Sequence, residues 1–336
     1  MYKRALTFLG ILVALAGCAL FKKDGDIQAL AQIKEFDAAL AIKEVPNTQS
    51  DPQPQVSVAA TKKPKPKPKP VTKKASSAPA TVIKREPEIE DSAGFVGRRP
   101  LKDPFRVGEK SVLAIRYLGL TAGELSIEVG NFLEVNNQKA YNFLLNVKSN
   151  SSFSYVYEVK DLVRTFVSFE TLLPLGFSLQ IRETRDLKES RNVFDWKTLK
   201  SNTWTKFISD GEVKEEKQEG NLLSFSQNVY SIMFYLRNFD LTVGKKLTFR
   251  VSDKGKNLLF KGRVLRKEKL TTPVGDYDTV VVKPEFEMDG IFKPVGDIFL
   301  WLTDDDRKFI VKIESKIKIG TLVGELKELQ PGVLTP

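Results

Sequence analysis

From about Phe105 to Leu329 the apolar residues recur mostly at every second position. Tyr141, Phe143, Leu145 and Val147 alternate with Asn142, Asn146 and Lys148. Near the end, Phe309, Val311, Ile313, Ser315, Ile317 and Ile319 alternate with Lys308, Lys312, Glu314, Lys316 and Lys318. Strands of this kind have one wet and one dry face, the usual state of an antiparallel sheet. Turn formers punctuate them: Asn136-Asn137, Asp210-Gly211, Lys254-Gly255-Lys256, Val274-Gly275-Asp276 and Asp304-Asp305-Asp306, bounding roughly a dozen or more strands. Two stretches change period. Ser226 to Phe239 places Val229, Ile232, Met233 and Leu236 at helical spacing with Ser226 as N-cap. Asp26 to Val45 places Ala29, Ile33, Phe36 and Leu40 on one helical stripe. A sheet this long curls or closes. The expected fold over residues 101–330 is therefore mainly all-β: a large curved antiparallel sheet or barrel-like sandwich with one short helix.

Ahead of that domain the pattern weakens. Residues 46–100 carry ten prolines with Ser, Thr, Ala and Lys and few large apolar side chains, and read as a disordered linker. At its centre Lys62-Lys63-Pro64-Lys65-Pro66-Lys67-Pro68-Lys69-Pro70 favours an extended polyproline form stiffened by charge repulsion. It resembles the Lys-Pro spacers of periplasm-spanning proteins. Lys62, Lys63, Lys65, Lys67 and Lys69 are the expected contacts to an anionic surface, headgroups or cell-wall polymer.

Charge sharpens this division. The net charge is +11, yet residues 51–85 hold nine basic residues against Asp51 alone. The β region is nearly neutral, so a basic globular surface for nucleic acid is not indicated. The chain has no His and one Cys. That excludes imidazole acid–base chemistry, His-ligated metals, an intramolecular disulfide and a CxxC pair.

The single Cys has an address. Lys3 and Arg4 precede an apolar run from Ala5 to Ala14 that ends in Leu15-Ala16-Gly17-Cys18. This looks like a bacterial lipoprotein signal, with residues 1–17 cleaved and Cys18 anchored to the membrane through a diacylglyceryl thioether. Residues 18–45 are then the lipidated N-terminus with its short amphipathic helix. Ala19, rather than Asp, makes the outer membrane facing the periplasm the expected location.

Other chemistry is thin. Asp304-Asp305-Asp306 lacks the spacing of a calcium loop and suits a turn. Glu158, Asp161 and Asp195 are only nominal carboxylate partners for hydrolysis. No GxxxxGK or GxGxxG occurs. Trp196, Trp204 and Trp301 sit in strand patterns and are expected to pack. No metal site and no cofactor is expected.

Several pieces resemble the bacterial envelope family known as domain of unknown function 3108: Gly108-Glu109-Lys110, Tyr117 to Gly123, Tyr157 to Asp161, Ser226-Gln227-Asn228, Tyr235-Leu236-Arg237, Val274 to Val280 and, most closely, Gly296 to Asp305. Asn228 stands where that family usually has Asp. The resemblance implies a secreted β-rich domain with no assigned activity.

Two functions follow as expectations. In the first, the tethered β domain holds a lipid-like apolar ligand against its dry face, an architecture that resembles periplasmic lipoprotein carriers. In the second, it is a non-enzymatic interaction or scaffold protein that binds another envelope protein or the cell wall. A filled core with an exposed apolar patch favours the second; an enclosed apolar pocket favours the first. An enzyme is not expected.

Overall fold

Side-chain alternation sets the strands, and ladder pairing joins them into one eighteen-stranded sheet. The computed structural model describes residues 34–45, 104–184, 186–209, 211–288, 291–293, 297–316 and 320–333. Helix α1 (Lys34–Ala39) and β1 (Ile42–Glu44) come first. After residue 103 follow β2 (Val107–Tyr117), β3 (Leu120–Val129), β4 (Leu133–Val135), β5 (Gln138–Ser149) and a turn of helix, α2 (Ser151–Ser154). Next are β6 (Lys160–Ser168), β7 (Pro174–Arg182), β8 (Asp186–Asp195), β9 (Lys200–Ser209), β10 (Glu212–Asn221), β11 (Gln227–Asn228) and α3 (Ile232–Tyr235). The chain ends with β12 (Lys246–Asp253), β13 (Lys256–Thr272), β14 (Gly275–Met288), β15 (Ile291–Lys293), β16 (Ile298–Thr303), β17 (Ile310–Lys316) and β18 (Thr321–Val333).

The main ladder runs β10-β9-β8-β7-β6-β5-β3-β2-β18-β17-β16-β14-β13-β12, all antiparallel, and ends with β11 parallel to β12. The first long strand, β2, thus lies mid-sheet beside the last, β18. No ladder joins the two sheet ends among the described residues. They nevertheless approach closely: a Cβ on Gly220 would lie 2.1 Å from the Gly255 Cα, and Asn257 Nδ2 donates to the Asn221 carbonyl at 3.0 Å. The sheet is curved and barrel-like without being closed.

Its concave side holds the main core. Phe143 stacks on Phe234 of α3 at 4.1 Å and Phe249 on Phe260 at 4.3 Å. The expected helix from Ser226 is shorter than its spacing predicts. The Asn228 side chain accepts from the Tyr230 and Ser231 amides, and this local turn competes with helix. Helical backbone starts only at Ile232 and tightens into a 3-10 turn over Leu236–Asn238. Gln227 and Asn228 instead pair with β12.

A second, smaller core lies on the convex side. Phe36 and Leu40 pack against Leu133, Val135, Ala140, Phe166, Leu175 and Val193. The helix expected from Asp26 to Val45 is, within the described residues, only Lys34–Ala39. It gives way to β1, which pairs antiparallel with β4, so Ile42 and its neighbours complete an open sheet edge.

Where the β domain begins, its ends are clasped. Arg237 Nη1 meets Glu109 Oε1 at 2.5 Å, both side chains 3% exposed, and Arg307 bonds the other Glu109 oxygen. Further donors of both arginines hold backbone carbonyls. Arg237 Nη2 and Arg307 Nε both donate to the Pro104 carbonyl, at 3.0 and 2.8 Å. Arg307 Nη2 also donates to the Pro331 carbonyl at 2.7 Å.

Candidate functional site

The residues singled out for anchoring and surface contact, Cys18, Lys62, Lys63, Lys65, Lys67 and Lys69, lie outside the described residues. Within the described residues, two features stand out from an otherwise ordinary sheet.

The first is a set of titratable groups on the concave side. Asp161 sits on the same face of β6 as the core residue Val163 and is 1% exposed. Its Oδ1 accepts from the Arg182 amide at 3.0 Å, while Oδ2 has no partner. Burial, with Glu183 alongside, pushes its pKa up to about 7. Burial also raises Glu183, which accepts a hydrogen bond from the Tyr157 hydroxyl. Ile181 pairs across the ladder with Lys188, whose pKa burial lowers to about 8, with Lys254, Asp253 and Glu216 as charged neighbours. Farther along the same face, Asn192 Nδ2 donates to Thr203 Oγ1 at 2.7 Å, and Ser190 and Thr205 share a hydroxyl pair at 2.9 Å. This wall is polar where the α3 end is aromatic. The three nominal carboxylates have separate partners. Glu158 pairs with Lys160, and Asp195 caps the Lys197 and Thr198 amides. Asp161 meets Glu183 instead.

The second feature is an apolar rim. Leu118 and Leu120, in the β2–β3 turn, are 66% and 74% exposed, and Tyr155 and Val156, after α2, are 82% and 63% exposed. The two loops touch: the Asn150 amide donates to the Ala122 carbonyl at 2.9 Å, and its side chain bonds the Thr121 carbonyl. Leu118 also adopts φ +50° beside Gly119 at +82°. A leucine there is less favourable than Asn or Gly.

The family model described as a protein of unknown function, DUF3108, matches residues 113–327. The chain belongs to the DUF3108 family. No curated protein matches it. Among solved structures it is similar to a beta-barrel-like protein of domain of unknown function DUF1849 from Brucella abortus. That likeness has 10% identity and a TM-score of 0.41, covering 67% of this chain and 98% of the other.

The segments that carried the family resemblance have structural work in this DUF3108 protein. Asn228 Nδ2 donates to Thr165 Oγ1 at 2.7 Å, Gln227 Nε2 to the Leu172 carbonyl at 2.9 Å, and Ser231 Oγ to Gln227 Oε1 at 2.9 Å. These buried bonds tie α3 to β6 and the loop after it, and a neutral amide at Asn228 satisfies them. Glu109 and Arg237 form the clasp. In the Asp304–Asp306 turn, Asp305 Oδ1 accepts from Thr303 Oγ1 and from the Arg307 and Lys308 amides, while Asp304 bonds Lys267. Trp204 donates to Glu35 at 2.9 Å, Trp196 to the Pro174 carbonyl at 2.7 Å and Trp301 to Glu268. Below α3 a void of about 10 Å³ is lined by Phe105, Phe143, Gln227, Ser231 and Asn238 among others, about the room one water needs. Among the described residues no helix is long and apolar enough to cross a membrane.

Sequence reasoning missed the rim and the company that Asp161 keeps. The Leu-Gly-Leu at a turn was the one local sign of the rim. Glu183 is brought to Asp161, and Asp253 to Lys188, by strand register and curvature, which no spacing announces.

Proposed function

We propose that this DUF3108 protein is a lipid-anchored envelope protein, held at the outer membrane through Cys18, that works non-enzymatically by binding another envelope protein. The observation that carries this reading is the rim of Leu118, Leu120, Tyr155 and Val156. Four large apolar side chains stand in water on two hydrogen-bonded loops, one of them on unfavourable backbone. Exposed apolar clusters of this kind are typical of interaction surfaces. The aromatic packing beneath α3, with its water-sized void, supports this reading over storage of an acyl chain at that end. The lysines from Lys62 to Lys69 add a loose, salt-sensitive contact to an anionic polymer or headgroup surface.

A photo-crosslinking residue at Leu120 or Tyr155, in the full chain in its own host, tests it. A discrete protein adduct that is lost with Leu118→Asp/Leu120→Asp is expected. Adducts to lipid alone, or a co-purifying lipid found by native mass spectrometry, would overturn it in favour of an apolar-ligand carrier.

A further inference from the structure

The described chain stops at Val45 and resumes at Pro104, and both of these flanks, or feet, are fixed on the β domain. The first foot is the docked segment 34–45. Phe36 and Leu40 are 3% and 2% exposed in the convex core, so undocking would return two large apolar side chains to water. The polar contacts around them are specific. Glu35 takes bonds from Lys217 at 2.6 Å and Trp204 at 2.9 Å, and Lys43 pairs with Glu134 at 2.8 Å. Asn136 fastens the turn, donating to the Ala39 carbonyl at 3.1 Å and accepting from the Ala41 amide at 2.9 Å. β1 then adds backbone bonds to β4. The second foot is Pro104-Phe105. The Pro104 carbonyl is held by two arginines, and the Phe105 ring lies 4.9 Å from Phe143.

From these two feet we infer that the convex face of β4–β8 is a docking surface for the chain's own membrane-proximal segment, so that the Lys/Pro stretch is a loop mounted at both ends rather than a tether between anchor and domain. The surface fits an amphipathic turn of helix followed by a short strand. With Cys18 lipidated as proposed above, only the residues between Cys18 and Lys34 separate bilayer from domain. Those fifteen residues let the Cys18 and Lys34 Cα atoms separate by at most about 55 Å when fully extended. The domain then stays close to its membrane.

Cross-strand cysteines test the docking independently of the lipid. In the full chain carrying Cys18→Ser, Lys43→Cys and Glu134→Cys occupy facing positions in β1 and β4, within disulfide geometry for neighbouring strands. A specific protease site is inserted after Ala60. The pair is expected to oxidise about a hundredfold faster than a control pair of Lys43→Cys with Glu158→Cys, because docking supplies a high effective concentration. After cleavage the two pieces should migrate together until reduced, and Phe36→Asp should slow the oxidation to the control rate. Oxidation no faster than the control, or pieces that separate without reductant, would overturn the inference. The same pair in a chain that keeps Cys18 separates the two readings. Cut, oxidised protein in the membrane pellet that reductant releases supports both. A soluble but still cross-linked product keeps the docking and removes the lipid anchor.

Discussion

Arg237 and Glu109 meet at 2.5 Å in the interior, each 3% exposed, across 128 positions of sequence. Both charges are fully desolvated, so the pair holds only because its hydrogen bonds are complete. Removing one partner from such a group costs far more than the pair contributes against an apolar replacement. Glu109→Gln leaves Arg237 and Arg307 without their counter-charge. The expected loss is about 3–5 kcal/mol, read from urea unfolding of the full chain. A loss below about 1 kcal/mol would mean that the carbonyls of Pro104, Arg307 and Pro331 suffice to hold the arginines.

Asp161 gives the domain a pH dependence of definite sign. Its folded pKa, about 7, lies above the ordinary aspartate value, so the folded state binds the proton more tightly than the unfolded one. Stability is complete below about pH 4 for this group and falls as pH rises toward 7. Glu183, also raised by burial, acts in the same direction. Asp161→Asn should therefore stabilise the protein at about pH 8 by up to a few kcal/mol and do much less at about pH 5. Parallel pH curves for the two proteins would show that Asp161 is ionised throughout.

The sheet ends meet through two glycines. A methyl on Gly220 would lie 2.1 Å from the Gly255 Cα and 2.8 Å from its carbonyl carbon, and backbone cannot step aside as a flexible side chain does. Gly220→Ala should cost at least the 1–3 kcal/mol, or about that, typical of overpacking. Hydrogen exchange should rise first in β10 and in the β12–β13 turn. A neutral substitution would mean that the two ends are not in contact in solution.

Deleting residues 51–85 shortens a loop whose two feet stay in place. Loop-closure entropy then favours docking by somewhat under about 1 kcal/mol, so the melting temperature should hold or rise slightly. Protection of the β1 amides should also increase. A marked drop in melting temperature would mean that the deleted residues pack on the domain.

The sheet was legible because its information is local. The alternation through β5 from Tyr141 to Val147 follows directly from pleating, and Asn136-Asn137 adopts the two left-handed conformations, φ +49° and +61°, that a two-residue hairpin turn demands. The α3 helix was overextended because spacing registers Val229 and Ile232 but not the Asn228 side chain that captures the intervening amides. Docking was half legible. Phe36 and Leu40 showed as an apolar stripe, but their partners Leu133, Phe166, Leu175 and Val193 come from the convex faces of four strands. Only the fold brings these together. The same holds for Asp161 and Glu183, whose approach depends on the β6–β7 register.

The neighbourhood of β2 and β18 has a consequence for the order of events in the cell. Val107, at the start of the domain, pairs with Val333 near the end of the chain, and the ladder continues to Tyr117 and Leu322. The middle of the sheet is therefore built from the first long strand and the last of the described strands. While β18 is still unsynthesised, β2 and β17 each lack a neighbour, and contacts so distant in sequence form slowly. The centre of the sheet is thus the last part that can be completed, although it contains the first long strand.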